Sequence, residues 1–313
     1  MESTRVKTHP LPSAHFDPLS ASPSELRRYG VPQRPDASIR PELAALWDEI
    51  LSHDLTYLTP TFEPVEALLP GIQAPRGPAR DVEQTVTNAH WSGCVVHAPA
   101  GQAFTWVFGE WNFPDVEPPA PGEGKWYSFA WVGIDGANNP DGTTDVTQIG
   151  TIQYVSRDGD GNISKQCYAV HEWFSNAQGS GDTSWRTINN FPVNFGDTVT
   201  GLICMESTTD AWASLINLTK RIHVSFDFSA PPNTTSQENQ IEWVMECPQV
   251  KDLPQVLPNF GEIYFDSAMG GRGLDFLADA GTDTVINMVD DNVTVATTTV
   301  ETPTLLKIAY TGN

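Results

Sequence analysis

The sequence is poor in positive charge: its 313 residues carry 17 Lys and Arg against 39 Asp and Glu, a formal net charge of -22 at pH 7. Such a field repels phosphate backbones and anionic lipid surfaces, so nucleic acids and membranes are excluded as expected partners. Long apolar runs are missing too, since none approaches the roughly 20 residues that cross a bilayer as a helix. The opening stretch MESTRVKTHPLPSAHFDP lacks the continuous apolar segment of a signal peptide, and no address is read from it. Cysteine is scarce and scattered. Cys94, Cys167, Cys204 and Cys247 form no CxxC pair, have no zinc-ligand spacing and are too few for a disulfide scaffold. Free core thiols and one or two disulfides both remain open. The common catalytic signatures are absent as well, with no GxSxG elbow, HExxH, P-loop or dinucleotide fingerprint.

What is present points to β-structure. With 25 prolines and 24 glycines, the chain breaks helices too often for an all-helical fold. Residues 1–80 hold 12 of those prolines and 8 of the 17 basic residues against 10 acidic ones, whereas residues 81–313 carry 9 basic and 29 acidic residues. This shift predicts a boundary near residue 80, between a Pro-rich N-terminal extension or prosegment and one large domain over 81–313. Two short helices are expected in the extension. Ser22-Pro23-Ser24-Glu25 reads as a capping box with proline in the first turn and Gly30 as the stop. After Pro41, the residues Leu43, Leu46, Trp47, Ile50 and Leu51 recur at helical spacing. From about Val86, short apolar runs such as FTWVFGEW, WYSFAWVGI, CYAVHEWF and RIHVSFDF alternate with Gly, Pro, Asn and Asp. That rhythm predicts an antiparallel sandwich or barrel.

The candidate chemistry lies in polar side chains inside these runs, where a buried polar group needs a partner or a purpose. In Ile241-Glu242-Trp243-Val244-Met245-Glu246, alternation sends both carboxylates to one face, and their proximity is expected to raise at least one pKa. Such a carboxyl suits general acid–base work. The competing reading is the solvated face of an edge strand. Asp158-Gly159-Asp160-Gly161-Asn162 is a turn signal, and a hairpin centred on Asp160 places Gln148 opposite Glu172. An amide beside carboxylates can donate to a developing oxyanion; an ordinary cross-strand polar pair is the alternative. Ten tryptophans serve either as core packing or as the lining of a groove for peptides or sugars.

Seven segments in order carry a resemblance: WSG (91–93), VFGEWNFP (107–114), WVGIDG (131–136), TQIG (147–150), HEWF (171–174), FGDTVT (195–200) and IEWVME (241–246). Over most of residues 88–313 the chain resembles the eqolisin family of glutamic peptidases. The resemblance implies a concanavalin-like antiparallel β-sandwich preceded by the short helical extension. It also implies an acid endopeptidase that acts on polypeptides without metal or cofactor, as a monomer, outside the cell or in an acidic compartment. Carried over by position, Gln148 and Glu246 match the catalytic dyad, and Trp131, Asp135 and Glu172 match residues that line or support the cleft. The chain departs from the family at Val170-His171, at Ser175, at Cys247-Pro248 after Glu246, and by the insertion ANNPDGTTDV after WVGIDG. Family members often carry a basic prosegment over the cleft, which is one reading of residues 1–80; a permanent arm packed on the outer face through the Leu43, Leu46, Trp47, Ile50 stripe is the other. Two further functions compete. One is a non-catalytic glycan- or peptide-binding sandwich, and the other is a glycoside hydrolase pairing Glu172 with Glu246 or Glu242.

Overall fold

The computed structural model describes residues 6–65, 84–136, 144–249 and 256–312. The boundary expected near residue 80 and residues 137–143 of the insertion lie outside them. In chain order the elements are β1 (Val6–Thr8), α1 (Pro23–Arg28), α2 (Pro41–Leu51), β2 (Thr56–Tyr57), β3 (Thr61–Pro64), β4 (Gln84–Asn88), β5 (Trp91–His97), β6 (Trp106–Asn112) and β7 (Gly124–Asp135). They continue through β8 (Asp145–Arg157), β9 (Ile163–Ser175), β10 (Arg186–Asn189), β11 (Thr198–Ser207), β12 (Asp210–Asn217), β13 (Ile222–Ser229) and β14 (Gln240–Glu246). The last five are β15 (Glu262–Arg272), β16 (Phe276–Asp279), β17 (Thr284–Asp290), β18 (Val293–Thr302) and β19 (Leu305–Tyr310).

Pairing builds two layers of a sandwich. The first runs β10–β9–β8–β7–β14–β5–β17, and the second runs β19–β15–β6–β11–β12–β13, with β18 bridging β17 to β19. Between them lies the main core, where Trp111, Val132, Ile149, Ile203, Phe226, Trp243 and Phe265 are buried. Two of its indoles are matched: Trp111 Nε1 donates to Thr151 Oγ1 at 3.1 Å, and Trp243 Nε1 donates to the Phe108 carbonyl at 2.8 Å. None of Cys94, Cys167, Cys204 and Cys247 is in a disulfide. No helix among the described residues is long and apolar enough to cross a membrane.

The long central strands are buried over most of their length on both faces, and large apolar side chains cluster on each. The second cluster, on the face of the first layer turned away from the core, contains Trp91, Phe129, Trp131, Ile152, Val170, Trp185 and Val244. Glycine makes room for it. A Cβ on Gly150 would lie 2.2 Å from the Ala130 carbonyl oxygen and 2.5 Å from the Trp131 Cβ. Gly150→Ala is therefore expected to destabilise the fold by about 2 kcal/mol or more and to displace Trp131, which thermal unfolding and tryptophan fluorescence measure together.

The N-terminal segment contains more than the two helices that its sequence predicts. Both helices form, α1 with its full Ser22–Glu25 capping box, and α2 buries Leu43, Trp47, Ile50 and Leu51. Three short strands form as well: β1 pairs antiparallel and β2 parallel with β13, and β3 pairs antiparallel with β10. Their sequences, VKT, TY and TFEP, have little alternation of their own. They are strands because the sandwich offers them free edges, a tertiary cause that sequence pattern does not report.

Candidate active site

The register of the first layer sets the site. Pairing of β8 with β9 places Gln148 opposite Glu172, as the turn predicts, and pairing of β7 with both β8 and β14 sets Gly133 between Gln148 and Glu242. Glu172, Gln148, Gly133 and Glu242 thus form one row across the sheet. Four residues further along β14, Glu246 pairs with Phe129 on one side and Trp91 on the other. The period of two puts Glu242 and Glu246 on the same face as Gln148, Trp131 and Phe129.

The edge-strand reading of Ile241–Glu246 is overturned. β14 has partners on both sides, and all seven of its residues are buried. Burial also corrects the expected cause of the raised pKa. Desolvation pushes Glu246 up to about 8, opposed only by the indole donor of Trp131. Glu242 is driven well above the usual range, first by desolvation and then by Asp135. Repulsion between the two glutamates does not contribute to either shift.

Trp131 connects the two ends of the site. Its Nε1 donates to Glu246 Oε2 at 2.8 Å, while the far edge of its ring lies over Gly133, where a Cβ would come within 2.8 Å of Cζ3. Trp91 packs edge-on against it at 5.0 Å. Gln148 Nε2 donates to Glu172 Oε2 at 2.6 Å, and Gln240 Nε2 donates to Glu242 Oε1 at 2.6 Å. Asp135 is the last residue of β7. Its carboxylate accepts from the Ser236 hydroxyl and from the backbone N–H groups of Gln237, Glu238 and Asn239 at 2.9, 3.1 and 2.9 Å. With these donors its oxygens fix the turn that leads into β14, and so set where Glu242 and Glu246 stand.

Buried polar atoms normally have partners, so a concentration of exceptions needs an explanation. On this face Trp91 Nε1, Gln148 Oε1, Trp185 Nε1, Glu242 Oε2 and Glu246 Oε1 are buried without a hydrogen-bond partner. Donors and acceptors are both unsatisfied, a pattern complementary to a chain that itself presents both. No group of three or more His, Cys, Asp or Glu suited to a metal occurs among the described residues. Sequence reasoning missed Trp185 and Gln240. Trp185 lies in GDTSWRTINN, which has no apolar alternation to draw attention, and Gln240 is the first residue of β14, just outside the motif.

The model of the peptidase A4 family matches residues 89–310. Among solved structures, scytalido-glutamic peptidase with a transition state analog inhibitor is 21% identical with a TM-score of 0.51, covering 71% of this chain and 98% of that one. SCP-B, described as a member of the eqolisin family in complex with the tripeptide Ala-Ile-His, is 22% identical with a TM-score of 0.50 and the same coverage. Aspergilloglutamic peptidase from Aspergillus niger is 22% identical with a TM-score of 0.50, covering 59% of this chain and 99% of that one. These likenesses carry the sandwich fold. No curated protein matches the chain.

Proposed function

The chain belongs to the peptidase A4, or eqolisin, family and is a peptidase; from that premise we propose that it hydrolyses peptide bonds with Glu242 as general base and then acid and Gln148 as oxyanion donor, the two flanking Gly133 in one row, in place of Glu246, which stands four residues, about 13 Å, further along β14. Membership displaces the glycan-binding and glycoside hydrolase alternatives. The observation that carries the assignment is Glu242 itself: a buried carboxyl with one oxygen held by Gln240 and the other unpartnered, in the same row of the sheet as the Gln148 amide.

The steps follow from that arrangement. Water attacks the scissile carbonyl carbon while Glu242 Oε2 takes its proton, and the carbonyl oxygen, now negative, accepts from Gln148 Nε2. Glu172 accepts one of the two amide hydrogens and so orients the other. When the C–N bond breaks, protonated Glu242 gives its proton to the departing amine. The base step needs Glu242 ionised although burial raises its pKa well above the usual carboxylate range. The entering water supplies the remedy, since it donates to the free oxygen and relieves the desolvation that is the chief cause of the shift. Trp131 and Asp135 then act by position, the first on Glu246 and the second on the turn before β14.

The test is a protein digest from pH 2 to 8 by wild type and Gln148→Ala. The substitution is expected to lower kcat by about 10²- to 10³-fold, the usual loss for an oxyanion donor, with little change in KM. Unchanged kcat would remove Gln148 from the chemistry.

A further inference from the structure

We propose that Trp185 is a substrate-binding residue of this peptidase, its indole N–H donating to a backbone carbonyl of the bound polypeptide, and that the N-terminal arm holds it in place. The proposal takes from the dyad reading only the location of the site.

β10 pairs with β9 through Arg186 opposite His171 and Thr187 opposite Val170, and on its other side with β3 of the arm. One residue past β3, the Val65 N–H donates to the Trp185 carbonyl at 2.8 Å. The backbone of Trp185 is thus fixed by a strand that lies outside the family match, which begins at residue 89. Its side chain turns onto the catalytic face. The indole stands edge-on to Phe129 at 4.6 Å with an interplanar angle of 80°, and Phe129 is the residue paired with Glu246. Val65 packs into the same cluster.

The ring is fully buried and its Nε1 has no acceptor. A buried indole N–H usually finds one, and leaving it unpaired costs about 1–3 kcal/mol. The neighbouring Trp91 Nε1 is in the same state, as are the acceptors Gln148 Oε1, Glu242 Oε2 and Glu246 Oε1. A polypeptide main chain, which offers a carbonyl and an N–H at each residue, satisfies donors and acceptors together. An ion or a purely apolar ligand satisfies at most one kind. The arm is on this reading a wall of the site: it contributes β3 to the sheet and through Val65 fixes the residue that grips the substrate.

Trp185→Phe keeps an aromatic ring toward Phe129 and removes the N–H together with the five-membered ring, so in the free enzyme the packing lost and the relief of an unpaired buried donor oppose each other. Its melting temperature is expected to match wild type, its KM for an eight-residue peptide to rise about tenfold, the equivalent of roughly 1.4 kcal/mol, and its kcat to stay within about twofold. Val65→Pro removes the bond to the Trp185 carbonyl and is expected to raise KM about threefold in the wild type and not at all in the Trp185→Phe background. Calorimetric binding of a peptide with a reduced, uncleavable bond reads the same contact without catalysis, so failure of the dyad and failure of this proposal are separable. Equal affinity of wild type and Trp185→Phe for that peptide overturns the proposal, as does a loss that appears in kcat or in melting temperature instead of in KM.

Discussion

Glu242→Gln is expected to abolish general acid–base catalysis and lower kcat/KM for peptide hydrolysis by about a thousandfold, within the range such groups contribute. The glutamine retains the shape and the oxygen that accepts from Gln240, so the loss reports chemistry and not folding. The effect of a buried carboxyl on stability is read at Glu246. In the folded chain the Glu246 carboxyl titrates near 8, against about 4.5 when exposed. Below about 4.5 it is protonated in both states and contributes no pH dependence. Between there and 8 the unfolded chain ionises while the folded chain does not, so stability falls as pH rises, by up to about 1.4 kcal/mol per unit. Glu246→Gln loses that slope. Its melting temperature should equal or trail wild type at pH 4 and exceed it at pH 7.5. A Glu242→Gln variant that digests protein as fast as wild type across pH 2 to 8 refutes the dyad, and parallel pH–stability curves for Glu246→Gln and wild type refute the buried, neutral carboxyl.

How far the site was readable from sequence depends on which physical cause placed each residue. The Gln148–Glu172 pairing was legible because a five-residue turn fixes the register of a hairpin, and register fixes faces. The shared face of Glu242 and Glu246 was legible from alternation alone. Whether that face meets solvent was not, because an edge strand and a central strand differ only in what pairs with them, and β14 pairs with strands more than a hundred residues away in sequence. The partners of Asp135 were not legible, since the turn it holds comes a hundred residues later. Trp185 and the arm strands were invisible for the same reason: their conformations are imposed by tertiary pairing and not by local pattern.

The arm carries the second large effect. Leu26, Val31, Leu43, Trp47, Ile50, Leu51 and Leu55 are each at most 9% exposed, packed with Phe108, Ile216 and Leu218 of the sandwich. Deleting residues 1–65 uncovers that apolar surface and leaves β13 and β10 with open edges, both aggregation hazards. We therefore propose a permanent arm, and a chain starting at residue 81 is expected to be insoluble or to melt at least about 10 °C lower, the equivalent of several kcal/mol. Acid is the condition under which a prosegment would leave, and one group here favours leaving. His223 is buried against Ser214, which it meets at 2.8 Å, and the arm's Tyr57 ring at 5.2 Å; desolvation, helped by His9 of the arm, lowers it to about 3. Because the unfolded value is about 6.5, this neutral histidine costs nothing above 6.5 and up to about 1.4 kcal/mol per unit as pH falls from there toward 3. At pH 4 that is about 3 kcal/mol, no more than the burial of one or two large apolar side chains contributes, and the arm buries seven and is hydrogen-bonded through three strands. Incubation at pH 3 to 4 should thus leave an intact, active chain of 34.3 kDa by mass spectrometry, whereas cleavage near residue 80 with a gain in activity would show that the arm is a prosegment after all.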